Sequence, residues 1–290
     1  MSYKSIHEII GNTPLVEIPN SLNNNLILAK LEGNNPGGSV KDRAAYKMIL
    51  DAEKSNLIKR GDTLIEATSG NTGIALSMVA SIKGYKMIII MPETASIERI
   101  KTMKAYGAEI ILVSKKEDME GARDLAAKMK LNGDGFVLDQ FSNPSNYLSH
   151  YETTGPEIWK QTKGLITHFV SAMGTTGTIT GVSMFLKSKN KNIRIVGVQP
   201  EEGSKISGIR RWAKGYEPSI RQNAIIDEII DIKQRDAENT LTDLSHNYGI
   251  FCGVSAAANV HISREISKKE KNAHIVTILC DRGDRYLSKL

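Results

Sequence analysis

Residues 63–74 read TLIEATSGNTGI and residues 168–179 read HFVSAMGTTGTI, so the same order of elements occurs twice. Each stretch has a β-rich run, then a turn of glycine and threonine, then the start of a helical pattern. Such turns present backbone N–H groups to anions, and ligands in α/β folds collect at the carboxyl ends of strands. The repeat predicts two anion-binding turns facing one cleft, which we call the Asn71 turn (residues 68–73) and the Thr176 turn (residues 174–178).

The alternation of strand and helix extends along most of the chain and predicts an α/β fold with parallel sheets. A cluster of turn-forming residues at 143–146 interrupts it and predicts a domain crossing there. The predicted strands are Leu26 to Leu31, Thr63 to Ala67, Lys86 to Met91, Glu109 to Val113, Phe136 to Leu138, His168 to Ala172, Arg194 to Gln199, Ile225 to Ile232 and His274 to Cys280.

A candidate nucleophile lies in residues 34–43, which read NNPGGSVKDR. Lys41 follows a Pro-Gly-Gly-Ser loop and precedes a predicted helix over residues 42–56. The unpaired N–H groups and positive dipole end of that helix favour the uncharged amine, which suits Schiff-base chemistry. A surface lysine at the start of a charged helix remains an alternative. The apolar side of the helix is predicted to consist of Ala45, Met48, Ile49, Ala52 and Leu57.

Composition restricts the classes of protein to consider. The chain has 290 residues, 40% hydrophobic content and a net charge of +6, but its lysines are dispersed without interleaved aromatics, which argues against nucleic-acid binding. No signal-peptide pattern and no long uncharged run occur, so we expect a cytoplasmic protein without membrane spans. Two cysteines and six scattered histidines predict neither a disulfide framework nor a metal site. Neither turn has the glycine spacing typical of NAD or ATP sites.

Beside Lys41, the two turns resemble the fold-type II pyridoxal-phosphate enzymes, in particular the cysteine synthase (O-acetylserine sulfhydrylase) family. The resemblance extends over nearly the whole chain, and further stretches resemble the B-type branch of that family. The family motifs lie at residues 10–15, 36–43, 68–73, 174–178 and 253–255, and the B-type stretches at 30–36, 119–124, 208–212 and 280–287.

The resemblance implies a two-domain, tryptophan-synthase-beta-like fold, each domain having a mostly parallel twisted sheet flanked by helices. Residues 35–145 would form a smaller mobile domain with Lys41, and residues 1–34 and 146–290 a larger one with Ser255. It also implies a homodimer that binds pyridoxal 5′-phosphate. The implied activity is β-replacement forming L-cysteine from O-acetyl-L-serine and sulfide through an α-aminoacrylate, with S-sulfocysteine formation from thiosulfate left open.

Roles at the cofactor follow from the same resemblance. Lys41 would hold the cofactor covalently and then, as a free amine, remove the Cα proton of the substrate. Ser255 would face the pyridine nitrogen, Asn71 would bind the phenolic oxygen, and Cys280 would be a small wall residue beside the ring. The phosphate would lie in a cradle formed by Gly174, Thr175, Thr176, Gly177 and Thr178.

Substrate contacts are implied at two further places. Arg210 and Arg211 would hold an anionic co-substrate such as thiosulfate, although a solvated basic loop beside Trp212 remains equally open. The substrate carboxylate would be received by Thr68, Ser69, Gly70, Asn71, Thr72 and Gln140.

Several functional alternatives use the same residues. An O-phosphoserine donor, cysteine degradation with sulfide release and serine or threonine dehydration would need the same cofactor. A non-catalytic regulatory protein is disfavoured because Lys41, Asn71 and Ser255 are all present. Ala95 and the pair Ala256-Ala257 depart from the family pattern, which leaves domain closure and packing behind the ring open.

Overall fold

The computed structural model describes residues 3–19, 22–213 and 215–289, and the side chains of this part up to Leu287. Within it, strands and helices alternate as the sequence predicts. The strands are β1 (Leu15–Ile18), β2 (Leu26–Leu31), β3 (Thr63–Ala67), β4 (Lys86–Pro92), β5 (Glu109–Val113), β6 (Phe136–Val137), β7 (His168–Ala172), β8 (Arg194–Pro200), β9 (Glu228–Ile232) and β10 (His274–Leu279). The α-helices are α1 (Lys41–Lys54), α2 (Asn71–Lys83), α3 (Ile97–Ala105), α4 (Asp118–Asn132), α5 (Pro144–Ser149), α6 (Gly155–Gln161), α7 (Gly177–Lys189), α8 (Gln234–Tyr248) and α9 (Val254–Lys269).

The strands form two separate sheets, each with helices packed on it. One sheet has the order β1-β2-β10-β7-β8-β9, and the other has the order β5-β4-β3-β6. All strand pairs are parallel except β1 with β2, which are antiparallel. The α/β fold class is therefore confirmed. The domain limits proposed from the sequence stay a prediction, and their ranges include residues 1, 2, 20, 21, 214 and 290, which lie outside the described residues.

Two sequence predictions about element bounds were wrong by two residues or more, while other predicted ends differ by a single residue. The predicted strand from Ile225 begins only at Glu228, because the Ile225 N–H donates to the Ser183 hydroxyl instead of to a neighbouring strand. The predicted helix over residues 42–56 ends at Lys54, since Asn56 adopts a positive φ of 55°. Leu57 is consequently 61% exposed and does not contribute to the apolar side of α1. The short strand β1 was not predicted.

A buried charge cluster fixes the start of α1. Arg43 pairs with Glu32 at 2.7 Å and with Glu157 at 2.7 Å, and Lys30 pairs with Glu157 at 2.6 Å. Thr13 donates a further hydrogen bond to Glu32 at 2.7 Å. Removing one partner from such a cluster leaves an uncompensated buried charge at a cost of about 3–5 kcal/mol. Because Arg43 is two residues after Lys41, the cluster also fixes the backbone that presents this lysine.

The carboxyl ends of β3 and β7, one from each sheet, lead directly into the Asn71 turn and the Thr176 turn. The N-terminus of α1 and the residues that follow β10 complete the same region, since the Val40 N–H donates to the Cys280 carbonyl at 2.8 Å. Among the described residues, no helix has the length and apolar character needed to cross a membrane.

Candidate active site

A cavity lies where these loops meet, and Lys41 is part of its wall. All nine residues proposed for the cofactor line it together, although they come from distant parts of the chain. The lining consists of Val40, Lys41, Asn71, Ser171, Ala172, Gly174, Thr175, Thr176, Gly177, Thr178, Gly208, Ser255 and Cys280.

The Thr176 turn has two features of an anion site. Thr176 is the residue before α7 and adopts a left-handed conformation with φ of 69°, which is costly for a β-branched residue and is typical of functional sites. Its hydroxyl is buried and has no hydrogen-bond partner among the described residues. An unpaired donor beside the free N–H groups of a helix N-terminus suits an anionic group such as a phosphate.

Glycine lets two other loops approach this turn. A Cβ atom at Gly174 would lie 2.7 Å from the carbonyl oxygen of Gly208, so any larger residue would push the two backbones apart. A Cβ atom at Gly208, whose φ is +92°, would lie 3.1 Å from the Ser255 hydroxyl. The turn, the Gly208 loop and the start of α9 therefore enclose a narrow space.

Lys41 is half-buried and is the first residue of α1. Its N–H donates to the Ser39 hydroxyl at 3.3 Å, which holds the loop against the helix. The neighbouring Asp42 carboxylate accepts a hydrogen bond from the Gly37 N–H. Burial raises the pKa of Asp42 to about 7 despite that hydrogen bond. Ser39 and Asp42, on either side of Val40 and Lys41, thus both hold the loop before Lys41 through hydrogen bonds.

The Asn71 turn differs because its side chains are paired. Asn71 donates to Asp281 at 2.7 Å and accepts from Arg285 at 3.3 Å, while Thr72 donates to Gln140 at 2.6 Å. Six residues were predicted to bind the substrate carboxylate. Among the described residues that line the Lys41 cavity, Asn71 is the one member of this set. The turn also contains Thr68, Ser69 and Gly70, and Gln140 is 5% exposed beside it.

The loop that presents Gln140 is held by a buried carboxylate at the end of β3. The N–H groups of Asp139 and Gln140 donate to the two oxygens of Glu66 at 2.9 and 3.2 Å. Burial raises the pKa of Glu66 to about 7 in spite of these bonds. Glu66 therefore connects the strand before the Asn71 turn to the Gln140 loop.

Ser255 and Cys280 form one wall of the cavity. Ser255 lies in the first turn of α9 and is 3% exposed. Burial, followed by the charge of Asp281, raises the pKa of the Cys280 thiol to about 12. Cys280 is thus a neutral thiol rather than a thiolate nucleophile.

Arg210 and Arg211 diverge, and the structure does not bring them into the lining of the Lys41 cavity. Arg211 donates to the Pro200 carbonyl at 3.0 Å and pairs with Asp231. Arg210 lies over the Trp212 ring at 5.5 Å, and the Trp212 indole donates to the Gly174 carbonyl at 2.8 Å. This segment therefore packs against the Thr176 turn, with the two guanidinium groups in different surroundings.

The sequence interpretation assigned no role to several residues that contact the site. Asp281 accepts hydrogen bonds from Asn71 and, at 2.5 Å, from Tyr286. Asn146 donates to the Gln140 carbonyl at 2.7 Å and to Thr175 at 3.2 Å, and His150 contacts Thr178. In the sequence, residues 280–287 were noted only for their family resemblance, and Asn146 only as a turn-forming residue. The contacts of Asp281 with Asn71 and of Asn146 with Thr175 join segments far apart in the chain, so local sequence does not reveal them.

This chain is similar to known proteins over nearly its whole length. A sequence profile of pyridoxal-phosphate dependent enzymes matches residues 6–281. The chain is 58% identical over 286 residues to cysteine synthase B of Escherichia coli, covering 98% of this chain and 94% of the relative. It is 57% identical over 291 residues to cysteine synthase B of Pseudomonas aeruginosa, covering 99% and 97%.

A solved structure agrees with the sequence relatives. The crystal structure of a hydrogen sulfide-producing enzyme from Fusobacterium nucleatum superposes with a TM-score of 0.92 at 39% identity, covering 98% of this chain and all of that one. The chain therefore belongs to the cysteine synthase B family of pyridoxal-phosphate-dependent enzymes.

Proposed function

We propose that this protein forms L-cysteine from O-acetyl-L-serine and sulfide with pyridoxal 5′-phosphate as its cofactor. The observation that supports this most directly is the common cavity of Lys41, the Thr176 turn, Asn71 and Ser255. The unpaired Thr176 hydroxyl and the glycine-lined space beside it fit the cofactor phosphate. The relatives named cysteine synthase B support the choice of donor and product.

The cofactor, when bound, stabilises negative charge at Cα of the amino acid and so permits loss of the β-acetoxy group. The Thr176 turn would hold the phosphate, and Ser255, at the start of α9, would form a hydrogen bond with the pyridine nitrogen. Lys41 would hold the cofactor and, once displaced from it by the substrate, would take the proton from Cα. The Asn71 turn and Gln140 orient the carboxylate. The overall reaction would replace the acetate at Cβ by hydrosulfide, so that O-acetyl-L-serine and hydrosulfide give cysteine and acetate.

Visible absorbance tests this proposal. The purified protein with cofactor is expected to show a band that changes when O-acetyl-L-serine is added without a nucleophile, and cysteine is expected after sulfide is added. A band that does not respond would redirect the search to other donors such as O-phosphoserine. Absence of any band after reconstitution would contradict the enzyme assignment.

Sulfide release from cysteine is the second candidate, and the similarity to the hydrogen sulfide-producing enzyme of F. nucleatum favours it. The two directions are distinguished by comparing turnover with O-acetyl-L-serine plus sulfide against turnover with cysteine alone. The same proposal includes a cytoplasmic homodimer in which residues 35–145 move on substrate binding. Sedimentation velocity and the fluorescence of Trp159 and Trp212 with and without substrate test the last two points.

A further inference from the structure

His150 is buried beside the Thr176 turn, and both of its ring nitrogens have hydrogen-bonding partners. It begins a π-helical turn, His150–Thr154, between α5 and α6 and is 1% exposed. Nδ1 lies 2.9 Å from the Thr154 hydroxyl, and Nε2 lies 3.3 Å from the Thr178 hydroxyl. π-helical turns inside helices occur frequently at functional sites.

Close packing surrounds the segment that carries His150. A Cβ atom at Gly181 of α7 would lie 2.1 Å from the Tyr147 carbonyl oxygen and 2.8 Å from the His150 Cβ. A Cβ atom at Gly155 would lie 2.8 Å from the Phe185 Cβ on the same helix. Helix α7 and the segment from Tyr147 to Gly155 therefore pack closely around the backbone that carries His150.

The ring has one donor and one acceptor. Burial, followed by the charge of Arg43, lowers the pKa of His150 to about 3, so the imidazole is neutral. Thr154 is fully buried, and its hydroxyl has the His150 ring as its hydrogen-bond partner among the described residues. Two arrangements remain, and they differ in whether Nε2 donates to Thr178 or accepts from it.

The two arrangements have opposite consequences for an anion. If Nε2 accepted, the Thr178 hydroxyl would donate its hydrogen bond to the ring. Its oxygen lone pairs would then face the cavity. If Nε2–H donates, the Thr178 hydrogen is free to point into the cavity that Thr178 lines. An anion needs donors, so the second arrangement is favoured once a phosphate is present.

We propose that His150, as the Nε2–H tautomer, is a positioning residue that turns the Thr178 hydroxyl hydrogen toward the cofactor phosphate. This rests on the proposed function in one respect, the location of the phosphate at the Thr176 turn. The chain of donors runs from the Thr154 hydroxyl to Nδ1, from Nε2–H to Thr178, and from Thr178 to the phosphate. Each group donates once, and no additional charge is introduced.

The tautomer is measured directly on the unaltered protein. Imidazole ¹⁵N–¹H correlation spectra of histidine-labelled protein, with and without cofactor, are assigned by the signal lost in His150→Gln. The holoprotein is expected to show a protonated Nε2 and an unprotonated Nδ1 between pH 6 and 8. A protonated Nδ1, or a charged ring, would overturn the proposal.

Two variants then test the effect on binding. His150→Gln can place an amide N–H near the former Nε2–H, whereas the shorter side chain of His150→Asn does not reach Thr178. Dissociation constants of the apoprotein are measured for pyridoxal 5′-phosphate and for pyridoxal, which lacks the phosphate. We expect His150→Asn to bind the phosphorylated cofactor about tenfold more weakly, with pyridoxal unchanged, because one hydrogen bond to a charged group is lost. His150→Gln is expected to stay within about threefold of the wild type.

Controls separate a positioning role from a structural one. Equal weakening of both ligands in His150→Asn would show loss of structure and contradict the proposal. In a Thr178→Val background the difference between the two variants should disappear, and its persistence would also contradict it. If the wild type bound pyridoxal as tightly as pyridoxal 5′-phosphate, the proposed phosphate site itself would fail. If the wild type discriminates and the variants do not differ, this inference alone fails.

Discussion

The Asn71 turn and the Thr176 turn look alike in sequence but differ in the hydrogen bonding of one central residue, Asn71 in the first and Thr176 in the second. In the Asn71 turn, Asn71 and Thr72 already bind Asp281 and Gln140. In the Thr176 turn, the Thr176 hydroxyl is buried without a described partner, and the backbone there is strained. Asn71 and Thr72 therefore already have partners within the protein, whereas the Thr176 hydroxyl is available to donate to a ligand.

The difference has an energetic meaning. A ligand at the Thr176 turn gains a hydrogen bond from a group that has already lost its water, so binding relieves an existing cost. A ligand at the Asn71 turn must displace hydrogen bonds within the protein. It gains only the difference in free energy between the new hydrogen bonds and those it replaces. A permanently bound group is therefore expected at the Thr176 turn, and an exchanging substrate at the Asn71 turn.

The largest effect should come from Lys41, which serves both turns. We expect Lys41→Ala to lower the rate of cysteine formation by at least about 1000-fold, because Lys41 is the one amine among the described residues that line the cavity. The far-UV circular dichroism and melting temperature should stay close to those of the wild type, since Lys41 is half-buried and outside the buried charge cluster. A variant that folds and keeps substantial turnover would refute the role of this lysine.

Matched glycine substitutions compare the two turns directly. We expect Gly174→Ala to weaken cofactor binding by about 100-fold, because its Cβ would lie 2.7 Å from the Gly208 carbonyl oxygen and force the loops apart. The control is Gly70→Ala, whose Cβ would have no described atom within 4 Å and whose φ of −116° suits alanine. Cofactor titration of both apoproteins is the measurement, and equal behaviour would remove the distinction between the turns.

A pH dependence is expected behind the Asn71 turn. The pKa of Glu66 is raised from 4.5 to about 7, so its favourable contribution is fully present below pH 4.5 and is lost as pH rises through 7. Urea unfolding at pH 5 and pH 8 should show Glu66→Gln gaining about 2 kcal/mol relative to the wild type over that interval. An unchanged difference between the two proteins would show that Glu66 is already ionised at pH 5.

Removing one threonine hydroxyl from each turn should have opposite effects. Thr72→Val leaves the buried Gln140 amide oxygen without its donor, so we expect a loss of about 1 kcal/mol in unfolding free energy and a higher KM for O-acetyl-L-serine. Thr176→Val removes an unpaired group, so the apoprotein should be as stable or more stable, with weaker cofactor binding. The same pattern in both variants would contradict the proposed roles.

The smallest effect concerns Arg210 and Arg211. The Arg210→Ala substitution should reduce use of thiosulfate a few-fold more than use of sulfide, because a thiosulfate dianion gains more from a nearby guanidinium. Arg211→Ala should matter less, since its guanidinium is already paired with Asp231. Competition between the two nucleophiles is the measurement, and equal loss for both would exclude a thiosulfate site here.

Local sequence patterns predicted the positions of strands and helices well. They did not predict elements that depend on pairing with a neighbouring strand. Strands β2, β3, β5 and β7 were predicted at both ends, because each is a short β-rich run bounded by turn residues. Strand β1 was missed because it is four residues long, and it is held by its pairing with β2 rather than by a pattern of its own.

The candidate site was predicted in the same uneven way. Lys41, the Thr176 turn and Ser255 were singled out from motifs and do line one cavity. Asp281, which binds Asn71 across 210 positions of sequence, was given no role. A contact between residues so far apart in sequence depends on how two loops meet in the fold. It produces no recognisable pattern in the sequence of either loop.

The alternation of strands and helices, the two glycine–threonine turns and the lysine at the start of α1 were all predictable from local sequence. These follow from backbone preferences and apolar spacing, which act over a few residues. Tertiary packing determined that the Thr176 hydroxyl is buried without a partner among the described residues, whereas the Thr72 hydroxyl is paired with Gln140. It also decided that His150 stands behind Thr178 and that Arg211 turns to Asp231. Hydrogen-bond satisfaction depends on neighbours in space, because a buried polar group is paired or left unpaired only when the chain has packed.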